Sequence, residues 1–221
     1  MSIRPPASEG ELRDRARWLA GRTIAELALA LGVRPPQAGV HGKGKIGDLI
    51  ERALGAAAGS APLPDFAHLG IELKTIPVDL HGIPRESTFV CTISLADAER
   101  AEWETSVARA KLQHVLFVPV VGGVGLSSGE RKIGSPLFWR PTREQESVLR
   151  ADFDEAMGLV GAGGIEALTA RTGRWLQVRP KARTGRVRTI CFGPEGEWIA
   201  TVPRGFYLRA SFTRALLAGA S

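Results

Sequence analysis

The sequence holds two cysteines, one tyrosine and four histidines. Cys91 and Cys191 lie far apart and neither sits in a C-x-x-C, so neither a disulfide framework nor a structural zinc site is supported. His41, His68, His81 and His114 lack ligand spacing. A metal, if used, would take oxygen ligands, which points to Mg²⁺ or a similar hard cation. No apolar run reaches the ~18 residues of a membrane span. The start, MSIRPPASEGELRDRARWLA, is charged where a signal peptide needs its apolar stretch, so a cytoplasmic protein is expected. Acidic residues are missing from Ala167 to Pro194, and again from Trp198 onward. The first stretch carries Arg171, Arg174, Arg179, Lys181, Arg183, Arg186 and Arg188, and the second Arg204, Arg209 and Arg214. With a net charge of +6, such a one-signed surface suits a polyanion. The alternative is a solvated basic face without a partner.

What is present is ordinary for a folded protein. The 221 residues are 44% hydrophobic and 24% charged, enough for one large domain or two small lobes. Ser8-x-x-Glu11, Thr23-x-x-Glu26 and Thr142-x-x-Gln145 read as capping boxes. They predict helices over 12–20, 24–31 and to about Leu159. Ile46, Leu49, Ile50, Ala53, Leu54 and Ala57 recur at helical spacing. A short helix is expected over 105–112 and a last one over 211–218. Strands are expected over 71–78, 89–94, 115–121, 175–179, 187–192 and 198–202, with GGVGLSSGERKIGSP a loop and PRGF a turn. Trp103, Trp139, Trp175 and Trp198 read as packing residues. The whole is an α/β or α+β domain, a mixed sheet flanked by helices.

The stretch DFAHLGIELKTIPV, from Asp65 to Val78, carries the chemistry. Alternation along a strand puts Glu72 and Lys74 on one face. Gly70 permits a bend that returns Asp65 to Glu72. Two carboxylates converging beside an ammonium repel one another unless a cation intervenes. Mg²⁺ is commonly held by one or two carboxylates plus phosphate oxygens and water, polarises a phosphoryl oxygen and lowers the pKa of bound water. Lys74 would orient that water or offset charge in the transition state. Phosphodiester hydrolysis follows. The competing reading is a surface Glu–Lys pair worth under about 1 kcal/mol. Lysine is scarce in this Arg-rich chain: Lys43, Lys45, Lys74, Lys111, Lys132 and Lys181 are all there is. A lysine in the motif therefore argues for a compact charge there.

KGKIGDLIE, DFAHLGIELKTIPV, WETSVARAKL, IGSPLFW, VRPKA and PRGFYL together resemble the MutH-type mismatch-repair endonucleases, in order and with matching spacing, from about Trp18 to Leu217. The resemblance implies a restriction-endonuclease-like fold with two lobes, about 8–105 and 106–221, around a DNA-binding cleft. It implies nicking of the unmethylated strand at hemimethylated GATC sites with Mg²⁺, for which Mn²⁺ substitutes and Ca²⁺ binds without turnover. The partners implied are double-stranded DNA with hemimethylated or unmethylated GATC, MutL as activator and MutS indirectly. The protein would be a monomer without membrane contact. Residue by residue, it implies metal-binding carboxylates at Asp65 and Glu72 and the motif lysine at Lys74. Glu51 would stand beside the metal, through water or as a direct ligand, and Lys111 would be a further active-site lysine. Lys43 and Gly44 would contact DNA, Arg179, Pro180 and Lys181 would read bases, and Tyr207 would report adenine methylation. Lys45 stands where an aromatic residue is expected. The sequence ends with FTRALLAGAS, which implies less C-terminal surface for regulation by MutL than in longer members.

Three other functions compete. A stand-alone restriction-type endonuclease would share the chemistry. An ATPase is suggested by the G-x-x-x-x-G-K run from Gly39 to Lys45, but Ile46 stands where Mg²⁺ needs Ser or Thr, and no strand precedes the run. A non-enzymatic helix-turn-helix regulator is suggested by GRTIAELALALGV, but its recognition helix would fall on RPPQAGVHGKG, a poor helix.

Overall fold

The computed structural model describes residues 3–36, 42–56, 62–169, 171–181 and 187–219. In chain order the elements are α1 (Glu9–Leu19), α2 (Ile24–Ala30), α3 (Gly42–Leu54), β1 (Glu72–Val78), β2 (Thr88–Thr92), α4 (Val107–Leu112), β3 (Val115–Val121), β4 (Lys132–Ile133), β5 (Leu137–Trp139), α5 (Arg143–Gly161), β6 (Leu176–Pro180), β7 (Thr189–Phe192), β8 (Trp198–Thr201), β9 (Arg204–Leu208) and α6 (Ala210–Ala218). No helix among the described residues is long and apolar enough to cross a membrane.

The chain forms two compact units, and both are discontinuous. One takes the residues up to Glu86, then Gln113–Arg140 and the end from Leu217; the other takes Ser87–Leu112 and Pro141–Leu216. This differs from the expected division near residue 105. The reason is β1 and β3, which pair in parallel from Glu72↔Val115 to Val78↔Val121. Parallel neighbours need a long crossover, and this one contributes β2 and α4 to the second unit.

In the first unit, β1 is an edge strand on β3, and β4 and β5 pair antiparallel on the other side of β3. Residues Val115 to Val120 of β3 are all buried, as expected of a strand covered on both faces. Leu12 and Leu19 of α1, Leu27 of α2 and Ile46, Ile50 and Leu54 of α3 share one core with Leu73, Leu116 and Val118. Thr23 and Glu26 form both halves of a capping box, as do Thr142 and Gln145. Ser8 caps Glu11, but the Glu11 carboxylate accepts from Ala7, one residue earlier than a box requires. Helix α3 begins at Gly42, four residues before the expected start, so Gly44 and Lys45 lie on a helix and not in a loop. Its Ile46 and Ile50 face the core, so among the described residues α3 does not stand free as a recognition helix. Gly39 to His41 and Ala57 lie outside the described residues.

In the second unit, β2, β9 and β6 form an antiparallel sheet with β9 in the middle, and β7 and β8 form a separate ribbon. The expected turn at PRGF is therefore a central strand. Pro203 precedes the first strand residue, so no ladder N–H is lost. Gly205 is required by close packing: a Cβ there would lie 2.9 Å from the Phe89 ring and 3.0 Å from the Cys91 carbonyl. The expected loop 122–136 contains β4, and β5 was not foreseen. Trp103 and Trp139 are core residues, whereas Trp198 is 54% exposed and stacks on Phe192, against expectation. Cys91 and Cys191 are buried and not joined.

Candidate active site and nucleic-acid interface

The chain enters the first site through a short hairpin. A 3-10 turn, Ala67–Leu69, ends in Gly70 with φ +64°, a left-handed conformation that favours glycine. Phe66 and Ile71 then pair as an antiparallel bridge. The reversal brings Asp65 alongside Glu72. The N–H of Asp65 donates to Glu72 Oε2 at 3.3 Å, and Asp65 Oδ2 accepts the N–H of Leu73 at 2.9 Å. Because β1 is an edge strand, this carboxylate caps an N–H the sheet leaves unpaired. Lys74 Nζ meets Glu72 Oε1 at 2.5 Å. Asp65 is 7% exposed, Glu72 1% and the Lys74 side chain 15%. Buried charges are costly unless paired and hydrogen-bonded; Glu72 is ion-paired to Lys74, and Asp65 and Glu72 are both hydrogen-bonded.

Glu51 projects from α3 into the same electrostatic neighbourhood. Burial raises its carboxyl above the usual range, and the charges of Asp65 and Asp48 raise it further, against the pull of Lys74. Glu51 thus feels the charges of Asp65, Asp48 and Glu72 as well as that of Lys74, which is ion-paired with Glu72. No group of three or more His, Cys, Asp or Glu among the described residues stands close enough to hold a metal ion. The donors that do meet, Asp65 and Glu72, are a two-carboxylate set. That set fits a hard divalent cation whose remaining ligands are phosphate oxygens and water.

The second site is the outer face of the β2-β9-β6 sheet. Leu176, Val178, Phe206 and Leu208 face inward, with Phe206 against Phe153 of α5 at 5.3 Å. Their neighbours face outward. Tyr207 pairs with Phe89 on one side and Gln177 on the other, and Arg179 with Gly205. Tyr207 meets Phe89 edge-on at 5.2 Å, the Arg179 guanidinium sits 5.9 Å from the Tyr207 ring, and Lys181 Nζ sits 3.8 Å over Phe89. Arg179 Nη1 donates to Ser87 Oγ at 2.7 Å, and Lys181 Nζ to Thr92 Oγ1 at 2.9 Å. Burial raises the Tyr207 hydroxyl above its ordinary pKa. Tyr207, expected beyond a turn, is thus fixed on a strand between two others. Sequence reasoning missed Phe89, Ser87 and Thr92. Nothing local marks them, because the pairing that sets Phe89 against Tyr207 spans more than a hundred residues.

A family model described as "DNA mismatch repair enzyme MutH" matches residues 54–152. The chain is 50% identical over 216 residues to the DNA mismatch repair protein MutH of Salmonella typhi, covering 98% of this chain and 94% of that one. The MutH of Salmonella newport strain SL254 matches to the same extent. The chain belongs to the MutH family.

The MutH family has the restriction-endonuclease-like fold, to which the mixed sheet with its flanking helices conforms. The family match at 54–152 contains Asp65, Glu72, Lys74 and Lys111. The structure brings the first three together with Glu51. Lys111 lies at the end of α4 in the other unit and is 9% exposed. Gly44 lies in the first turn of α3, and the Lys43 side chain lies outside the described residues. Arg179, Pro180 and Lys181 are exposed at the end of β6.

Proposed function

We propose that this MutH family member is a Mg²⁺-dependent endonuclease that nicks the unmethylated strand at hemimethylated GATC sites in methyl-directed mismatch repair. The observation that supports it most is the buried Asp65–Glu72 pair beside Lys74. Asp65 and Glu72 would hold the cation. When bound, Mg²⁺ supplies a polarised phosphoryl oxygen and a bound water of lowered pKa. Lys74, held by Glu72 at the strand's start, orients that water and offsets charge at the phosphate. Glu51, kept outside the two-carboxylate pair, would act through water or as a further ligand of the ion. Burial and the neighbouring carboxylates raise its pKa, so it holds a proton more readily than an ordinary glutamate. Lys111 would contact the phosphate near the scissile bond, and Lys43 and Gly44 the backbone. Arg179 would read a guanine edge, with Pro180 and Lys181 positioning it. Double-stranded DNA is the substrate, with MutL as activator and MutS acting through MutL.

The test is incubation with unmethylated, hemimethylated and fully methylated GATC duplexes, with Mg²⁺, with and without MutL. Asp65→Ala and Glu72→Ala should abolish nicking while duplex binding in Ca²⁺ persists. Lys74→Ala should slow single-turnover cleavage by about 10²–10³, the scale of a lost electrostatic stabiliser. Mg²⁺ should raise the melting temperature of the wild type and leave that of Asp65→Ala and Glu72→Ala unmoved. A carboxylate variant that nicks at the wild-type rate would refute the assignment.

A further inference from the structure

The strands that carry Arg179 and Tyr207 start and end at one turn, and that turn is anchored from both sides. On one side stands Asp152, in the middle of α5 and 5% exposed. Its Oδ1 accepts the N–H of Arg174 at 2.6 Å, and its Oδ2 accepts those of Trp175 at 2.7 Å and Leu176 at 2.8 Å. Glu155, farther along the helix, accepts the N–H of Gly173 at 3.2 Å. On the other side stands Arg209, just past the end of β9. Its Nη2 donates to the carbonyls of Thr172 at 3.0 Å and Gly173 at 2.9 Å. Its backbone N–H donates to the Trp175 carbonyl at 2.8 Å. Trp175 itself stacks on Phe212 of α6, ring centroids 4.7 Å apart.

From this anchor β6 and β9 run side by side, Leu176 opposite Leu208, Gln177 opposite Tyr207 and Arg179 opposite Gly205. A slip of one residue would turn Arg179 away from the face that holds Tyr207, because strand side chains alternate. Charge-assisted bonds from three successive N–H groups to one carboxylate leave the start of β6 a single register. Packing alone, by Leu149 and Phe153 on the same helix, has no such directionality.

We infer that Asp152, with Arg209 opposite it, is a positioning residue for sequence discrimination: it touches no DNA and sets the placement of the face that reads it. This rests on the proposed role of that face in reading DNA. Asp152→Asn substitutes an amide NH₂ for one acceptor and so strands at least one of the three N–H groups. Single-turnover cleavage, normalised to folded enzyme, is measured on the GATC duplex and on duplexes with one base pair of the site changed. The ratio between them should fall about tenfold, the lower range of what one base contact contributes. Leu149→Ala, a core truncation on the same helix, should leave the ratio unchanged, since lost folded protein scales every duplex alike. Arg209→Lys keeps the charge but loses the two-pronged hold on Thr172 and Gly173. It should shift the ratio in the same direction, and it serves as the probe if Asp152→Asn does not fold. Rates that fall equally on all duplexes in these variants would overturn the inference and leave Asp152 a structural residue. A wild-type enzyme indifferent to the base changes would overturn the reading of the face itself, and the positioning role with it.

Discussion

The Glu51 carboxyl resists ionisation, because it is partly buried and feels the charges of Asp65 and Asp48 against the pull of Lys74. Its folded pKa therefore lies above the unfolded value, near the model-compound 4.5. Well below that pH the group is protonated in both states and costs nothing. As pH rises through the unfolded value towards the folded one, the unfolded chain ionises first and stability is lost. Glu51→Gln removes that loss. The variant should melt higher than wild type at pH 7. The gain should shrink as pH is lowered through 4.5, and nicking should fall at every pH, a trade of activity for stability. Thermal melts of both proteins from pH 4 to 8 check this; a gain that does not depend on pH would remove the electrostatic explanation. Asp65, Glu72 and Lys74 were legible in the sequence because a strand's two-residue period and a glycine bend are local. Glu51 was reached only through the family resemblance, because which helix edge meets β1 depends on how α3 packs on the sheet.

At the scale of the element, the outer face of the β2-β9-β6 sheet would separate the two tasks proposed for it. Arg179 extends from the exposed end of β6, where a guanidinium fork can reach a base edge in the major groove. Tyr207 is half-buried in the middle strand and meets Phe89 edge-on. The N6 group of adenine, where methylation occurs, faces the same groove. Arg179→Ala should relax GATC specificity and cost about 1–3 kcal/mol in binding. Tyr207→Phe and Tyr207→Ala should cut unmethylated sites at near wild-type rates yet change the ratio of hemimethylated to unmethylated cleavage. Parallel loss of both rates in the Tyr207 variants would make the tyrosine structural. This face was only partly visible beforehand. Arg179 and Lys181 stood out by charge, and β6 by its apolar alternation. The middle strand β9 was read as a turn because Pro203 and Gly205 are turn formers by propensity. The contact that explains Gly205, the Phe89 ring, is remote in sequence. Strands β4 and β5 were missed for a related reason. Two and three residues long, they are defined by their partner β3 and have no periodicity of their own.

For the whole molecule, charge was the most legible property and its use the least. The excess of 29 basic over 23 acidic residues predicts attraction to a polyanion. It does not say which cations are committed within the protein. Arg209 is engaged with backbone carbonyls, and Arg15 with the carbonyls of Arg4 and Leu54 and with Glu11. Arg171, Arg188 and Lys181 remain exposed in or beside the acid-free stretch. Affinity for duplex DNA should therefore fall steeply with salt, log K changing by about 0.9 per phosphate contact against log salt. The slope should count fewer contacts than the 29 basic residues of the chain would suggest. Arg171→Ala and Arg188→Ala should each flatten it by about one contact, equally on GATC and unrelated duplexes, since phosphate contacts position without specifying. Arg209→Lys should leave the slope intact while altering discrimination between sequences. Binding isotherms between low and high salt, on both kinds of duplex, measure these slopes directly. An affinity that barely responds to salt would mean that the basic stretch is a solvated surface and that the duplex is held elsewhere.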